Sequence, residues 1–272
     1  MVNLAAGRRW EGMMAAADEA GVVVVVVDRG GRGLVLIHGA AHSAACWDPT
    51  VADLASRAPD LRVLPVDLPG HGAAPGDLRT LTVGQCVDAV VEEIERARLD
   101  EVVLVAHSMG GLTAPGVVAR LGQDRVVRLV LIAALVPPAG GSVLDTLRGP
   151  VRWHVARAHR RATPRPPPPR ALARWLFCNG MTRQQRGFVL EQLCAESTVI
   201  PGERVDANPL PASVPTTWIL TRRDRMVRPS QQRAFIDNLG GVDEIVEVDT
   251  CHDIMVSEPA KLGSLLAERS VS

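Results

Sequence analysis

The sequence predicts an α/β fold: a doubly wound, mostly parallel sheet carrying an inserted helical lid. Three observations predict it. Short apolar runs recur along the chain, each too uniformly apolar for a sheet with one wet face. Helical segments separate these runs, which is the alternation expected of a parallel sheet covered on both sides. The strand signal then disappears between Pro137 and about Ala212, leaving helical patterns and a proline-rich connector.

Taken in order, residues 1 to 20 read as a loose helical lead, and "GVVVVVVDRGG" as a β-branched strand ended by an Asp-Arg-Gly-Gly turn, giving a first hairpin. The runs "GLVLIHG", "LRVLPVDLPGHG" and "EVVLVAHS" follow as central strands. Helices are predicted at "DPTVADLASRA", "TVGQCVDAVVEEIERARL" and "GLTAPGVVARLG", one after each of these runs. The runs "VVRLVLIAAL", "TTWILTR" and "DEIVEVD" continue the alternation. In the intervening stretch, "SVLDTLRGPVRWHVARAHRRA", "RALARWLFCN" and "TRQQRGFVLEQLCAE" read as lid helices, with "TPRPPPPR" as a stiff exposed linker. The expected division is a core in two parts, residues 1–136 and 213–272, interrupted by a helical cap at 137–212.

At 272 residues the chain fits one domain with an insertion. Thirty basic residues balance thirty acidic ones, so no global charge attracts nucleic acid or an anionic membrane. The lid is rich in arginine (Arg148, Arg152, Arg157, Arg160, Arg161, Arg165, Arg170, Arg174). A solvated basic face explains this more simply than an anionic substrate does. The five cysteines (Cys46, Cys86, Cys178, Cys194, Cys251) show no CxxC pair and no Cys/His spacing suited to zinc. They read as reduced thiols of a cytoplasmic protein. Arg8 and Arg9 imitate a signal-peptide start, but Glu11, Asp18 and Glu19 follow and the run Val22 to Val27 is short, so neither secretion nor a membrane span is expected.

The stretch "VAHSMGG" places Ser108 just after an apolar run. Alone it is equally compatible with a strand-to-helix loop without chemistry. A serine hydroxyl is a weak nucleophile at neutral pH, so it needs a base in reach, a group to orient that base, and donors for a developing oxyanion. Small neighbours are needed where a sharp turn lifts the serine above the sheet, and Ala106, Gly110 and Gly111 supply them. Of seven histidines, His252 is the one at the carboxyl end of a late predicted strand. Asp224 follows the strand before it, giving the order Ser, Asp, His. The preceding strand ends in "LIAALVPP", with no carboxylate. Asp249 and Asp253 are rivals for the orienting role, but as neighbours of His252 they are poorly placed to reach its far ring nitrogen. Oxyanion donors are expected at the N–H groups of Ala40, in the turn after His38 and Gly39, and of Met109. Gly39, His107 and Trp175 are further candidates for lining the substrate site, although core packing is the simpler account of the lid aromatics.

These segments resemble the α/β-hydrolase family from about Leu34 to the C-terminus. More narrowly, "HGAAHSAACWDPTVADL", "VLPVDLPGHG", "LVAHSMGGL", "RDRMVRPSQQRAFI" and "CHDIMVSEPAKLGSLL" are similar to the branch of plant-type methylesterases and hydroxynitrile lyases, and "NGMTRQQRGFVLEQLCAES" to its lid. The resemblance implies an eight-stranded sheet, Ser108 as nucleophile, His252 as general base and acid, Asp224 as orienter, and Ala40 with Met109 as oxyanion donors. Two departures matter. The lyases have threonine where this chain has Gly39, and lysine after the catalytic histidine where it has Asp253. An aspartate cannot stabilise departing cyanide as lysine would. The expected activity is therefore hydrolysis of a carboxylic ester or related acyl compound through an acyl-enzyme, with no cofactor and no metal. A non-hydrolytic, C–C-cleaving or cyclising enzyme on the same scaffold is the alternative, and a ligand receptor without catalysis is the third. The expected partner is a small-molecule substrate, not nucleic acid or membrane; a homodimer is left open.

Overall fold

The computed structural model describes residues 16–17, 23–24, 31–161, 163–205 and 210–271. Its sheet has six strands: β1 (Arg32–Ile37), β2 (Arg62–Val66), β3 (Glu101–His107), β4 (Val126–Ile132), β5 (Thr216–Thr221) and β6 (Glu244–Val248). They lie in the order β2-β1-β3-β4-β5-β6, and every pairing is parallel. The chain thus winds outward from β1 to β2, returns past β1 to β3, and continues in the other direction. The carboxyl ends of β1 and β3, on either side of that reversal, are the place where open α/β sheets bind ligands.

Uniformly apolar strands find cover on both faces. Val35, Ile37, Val102 and Leu104 face one core, while their neighbours Leu34, Leu36, Val103 and Val105 face the other. Period-two alternation distributes each strand between two buried layers. Helices α1 (Asp48–Arg57) and α10 (Pro259–Val271) pack together on the second face; α2 (Val83–Arg96) and α3 (Ala114–Leu121) pack together on the first. Helix α2 shows why such a segment folds as it does. Thr82 accepts from Gln85 N–H at 3.2 Å and Gln85 returns a bond to Thr82 N–H at 3.0 Å, closing both ends of a capping box. Val87, Val90 and Ile94 then fall on one buried stripe.

Two expectations need correction. The sheet has six strands among the described residues, not the eight expected, while its parallel pairing is as expected. Within the expected lead and first strand, Ala16–Ala17 and Val23–Val24 pair antiparallel as a separate two-stranded sheet, so those alanines are not helical, and the turn of the expected hairpin at residues 28–30 lies outside the described residues. An unbroken valine run carries no inside-outside alternation, and so no register. The remainder of residues 1–30 lies outside the described residues.

Between β4 and β5 lie α4 (Val143–Thr146), α5 (Gly149–Arg161), α6 (Arg170–Phe177) and α7 (Arg183–Gln192). The first predicted lid helix is broken in two, with Gly149 in the left-handed region at φ +58°. Of the eight arginines singled out in the predicted lid, seven are exposed and Arg165 is half-buried, the solvated basic face expected. After β5 come α8 (Pro229–Asn238) and, beyond β6, the short α9 (Ile254–Ser257).

Candidate active site

The turns after β1 and β3 meet at the reversal of winding, because Ile37 and Ala106 are register partners. Ser108 immediately follows β3 and has φ +51°, a left-handed conformation that costs a non-glycine residue on the order of 1–3 kcal/mol. Its carbonyl accepts from Leu135 N–H at 2.8 Å, fastening the strained turn to the end of β4. Close approach dictates the small residues. A Cβ on Gly39 would stand 2.7 Å from Ser108 Cβ, and one on Gly110 2.9 Å from the His38 carbonyl. The threonine of the lyases would not fit at position 39 without displacing the serine.

Asp224 follows β5 and His252 follows β6, and the structure brings both to Ser108. His252 Nε2 lies 3.0 Å from Ser108 Oγ, and Nδ1 lies 2.7 Å from Asp224 Oδ2. A carboxylate only accepts, so Nδ1 carries the proton and Nε2 is free to take one from serine. Asp224 is itself over-determined: Oδ2 also accepts from Thr221 Oγ1 at 2.9 Å, and Oδ1 from the N–H groups of Met226 and Val227 at 2.7 and 2.8 Å. The buried Gln232 holds Thr221 in turn, donating to its hydroxyl at 2.9 Å. Burial is the largest single influence on His252 and favours the neutral ring. The charge and hydrogen bond of Asp224, with the charge of Asp253, outweigh it and raise the pKa above the ordinary histidine value.

Asp253 is directed elsewhere. Its Oδ2 meets His42 Nε2 at 3.1 Å, so the rival carboxylate is engaged with a different histidine. His107 is completely buried beneath the site, its Nε2 bonded to the His252 carbonyl at 3.1 Å; burial drives its pKa well down and keeps it neutral. It supports the His252 loop rather than facing a substrate. Trp175 stands half-exposed on α6 with Arg225 5.3 Å over its ring. The α6 aromatic brought to the site is Phe177, 5.8 Å from the His252 ring and 5.6 Å from His42.

Gly39 and Met109 border a small cavity of about 10 Å³, also lined by His38, His71 and Glu196. That is room for about one water. With Ser108 only 5% exposed, the site is nearly closed. His107, His252 and Asp253 offer ligand atoms within 4.8 Å of one another. Both nitrogens of His252 are spent on Ser108 and Asp224, which leaves His107 Nδ1 and Asp253 Oδ1 as unpartnered donors, half of a tetrahedral set. The trio does not fit a metal. Sequence reasoning missed the pairings of His42 and His71, and missed Glu196 and Gln232 altogether. Their partners are distant in sequence, His42 and Asp253 being 211 positions apart.

A family model described as "Alpha/beta hydrolase family" matches residues 34–263. "Probable esterase PIR7A" of Oryza sativa subsp. indica is 37% identical over 130 residues, 44% of this chain and 46% of that protein. The "Carbendazim hydrolyzing esterase" of Nocardioides sp. (strain SG-4G) is 36% identical over 114 residues, 42% of this chain and 46% of that protein. In both cases the match spans about half the length of the curated relative. Among solved structures, an extracellular alpha/beta-hydrolase from a Paenibacillus species, described as sharing structural and functional homology with Tobacco Salicylic Acid Binding Protein 2, superposes with a TM-score of 0.74 at 24% identity. That superposition covers 87% of this chain and 98% of the other. Since the family model extends over most of the sequence, from β1 into α10, the chain belongs to the alpha/beta hydrolase family.

Proposed function

We propose that this protein is a cofactor-independent esterase acting on a small to medium carboxylic ester or related acyl compound. The observation that carries the reading is the continuous chain of hydrogen bonds from Ser108 through His252 to Asp224, at 3.0 and 2.7 Å, on a serine held in a left-handed turn. Ser108 attacks the carbonyl while His252 removes its proton, and His252 returns that proton to the departing alcohol. Water then clears the acyl-enzyme by the same route. Asp224 keeps the ring oriented and stabilises the imidazolium as it forms. The N–H groups of Ala40 and Met109 receive the oxyanion. The esterase names of the two relatives support this reading, as does the geometry at Gly39 and Asp253, which suits hydrolysis better than cyanide release.

In the same reading residues 137–212 form the cap, and Phe177 brings it onto the catalytic histidine. No described helix is long and apolar enough to cross a membrane, and all five cysteines are free thiols, in keeping with a small-molecule substrate and a cytoplasmic setting. The decisive experiment treats the protein with a fluorophosphonate probe and with short p-nitrophenyl esters. Labelling at Ser108 and ester turnover are expected in the wild type, and loss of both in Ser108→Ala. Near-wild-type labelling of that variant would overturn the proposal.

A further inference from the structure

The mechanism leaves two buried charged pairs unused. Glu196, from the segment after α7, is 2% exposed, and its main chain is fixed to the lid by reciprocal bonds with Arg165 at 2.9 and 2.8 Å. Its side chain reaches across to the turn after β1. Oε2 accepts from Ala41 N–H at 2.9 Å and from His71 Nε2 at 3.3 Å, while Oε1 takes Ser197 N–H at 2.6 Å. The other end of the same Ala40–Ala41 peptide is also held: the Ala40 carbonyl meets His42 Nδ1 at 2.8 Å, and His42 Nε2 meets Asp253.

Donor accounting fixes the charges. His71 faces the Pro69 carbonyl with Nδ1 and Glu196 with Nε2, and His42 faces a carbonyl and a carboxylate in the same way. All four partners only accept, so making both bonds requires each ring to carry two protons. Two imidazolium-carboxylate pairs therefore clamp one peptide from opposite ends. Ala41 needs the clamp, since its φ of +60° is a left-handed value disfavoured for alanine. Glu196 also borders the small cavity shared by Gly39 and Met109.

We propose that Glu196 is a positioning residue by which the seated lid aligns the Ala40 N–H on the developing oxyanion, through its bond to Ala41 N–H and its pairing with His71. The inference rests on the esterase reading above. An interaction that aligns an oxyanion donor acts in the transition state and hardly at all on bound substrate, so it shows in kcat and not in KM.

The test is Glu196→Gln, which keeps the size of the side chain but cannot accept from both Ala41 and Ser197. Expected is a fall in kcat of roughly 10- to 100-fold, with KM within about threefold, somewhat less than the loss of a whole oxyanion donor. Affinity for a trifluoromethyl ketone, which forms an oxyanion on Ser108, should fall by the same factor as kcat/KM. A merely structural role would lower the melting temperature and leave these ratios alone. Folded Glu196→Gln with kcat within about twofold of wild type overturns the proposal. Should that variant not fold, His71→Leu and His71→Gln decide: glutamine can still donate to Glu196 and should restore most of the activity that leucine loses, whereas equal activity overturns the proposal. Absence of ester turnover by wild-type protein would instead sink the esterase reading and the clamp's role with it; turnover insensitive to Glu196 sinks the clamp alone.

Discussion

Asp224 holds His252 by a 2.7 Å bond and is held by three further donors, so an asparagine there would occupy the same place. Its amide would present the wrong partner to Nδ1–H and favour the wrong tautomer. Asp224→Asn should cost on the order of 10⁴ in turnover, by analogy with other triads, with KM little affected. A loss smaller than about tenfold, measured on the same ester, would remove Asp224 from its role. The pH profile tests His252 independently. Only the neutral ring accepts the serine proton, and its pKa lies above the ordinary histidine value near 6.5. The acid limb of kcat/KM should therefore have its midpoint above about pH 6.5; a midpoint below it would show that burial outweighs Asp224 after all. Ser108, Asp224 and His252 were legible in the sequence because each follows a recognisable strand, and strand ends in a parallel sheet converge. His42, His71 and Glu196 were not, since nothing local marks a pairing such as that of His71 and Glu196 across 125 positions.

At the scale of elements, the segment between β4 and β5 reaches the candidate site through α6. Its spacing puts Ala173 and Phe177 inward, one helical turn apart, and leaves Leu172 and Trp175 outside. Period 3.6 identified the helix from sequence, but the inward face could not be chosen, because the helix carries apolar residues on both sides and only tertiary contact decides. The structure makes the choice testable. Phe177 is 6% exposed among His252, His42 and the core around Met181, so Phe177→Ala should destabilise the protein by about 3–5 kcal/mol. Trp175→Ala, with its ring half-exposed under Arg225, should cost no more than about 1 kcal/mol. Urea denaturation of the two variants gives the comparison, and a larger loss for Trp175 would mean that the helix presents its other face to the core. The valine run near the start of the chain is the converse case. The valine run had strong β-propensity and no pattern to say what it should pair with.

Across the whole molecule, the polar interior around the sheet's carboxyl edge dominates the response to pH. Among the described residues five histidines (His38, His42, His71, His107, His252) are buried there, and they divide into two kinds. His38 is pushed down to about 4, chiefly by burial, and His107 is lowered well below its ordinary value by burial. Each binds a proton more readily when unfolded, so stability drains away as pH falls below about 6.5, and the contribution of His38 levels off near 4. Glu196 and Asp253 act in the same direction at still lower pH. Burial raises both, but His71 and His42 outweigh it and hold them below ordinary carboxylate values, so the stability they contribute is lost as pH falls through those folded values. His42, His71 and His252 are the opposite kind. Burial lowers them, their carboxylate partners outweigh it, and the folded protein keeps protons that the unfolded chain releases. Their contribution is complete below about pH 6.5 and is lost as pH rises through the raised folded values. The melting temperature should accordingly peak near neutrality, at roughly pH 6–7, and decline on both sides. Thermal melts from pH 4 to 9 on wild type and His38→Asn separate the contributions: the variant should flatten the acid flank between about 6.5 and 4 and leave the alkaline flank in place. An acid flank unchanged by His38→Asn would mean that this histidine is already protonated in the fold, against the bond its Nε2 accepts from Leu68 N–H at 3.1 Å.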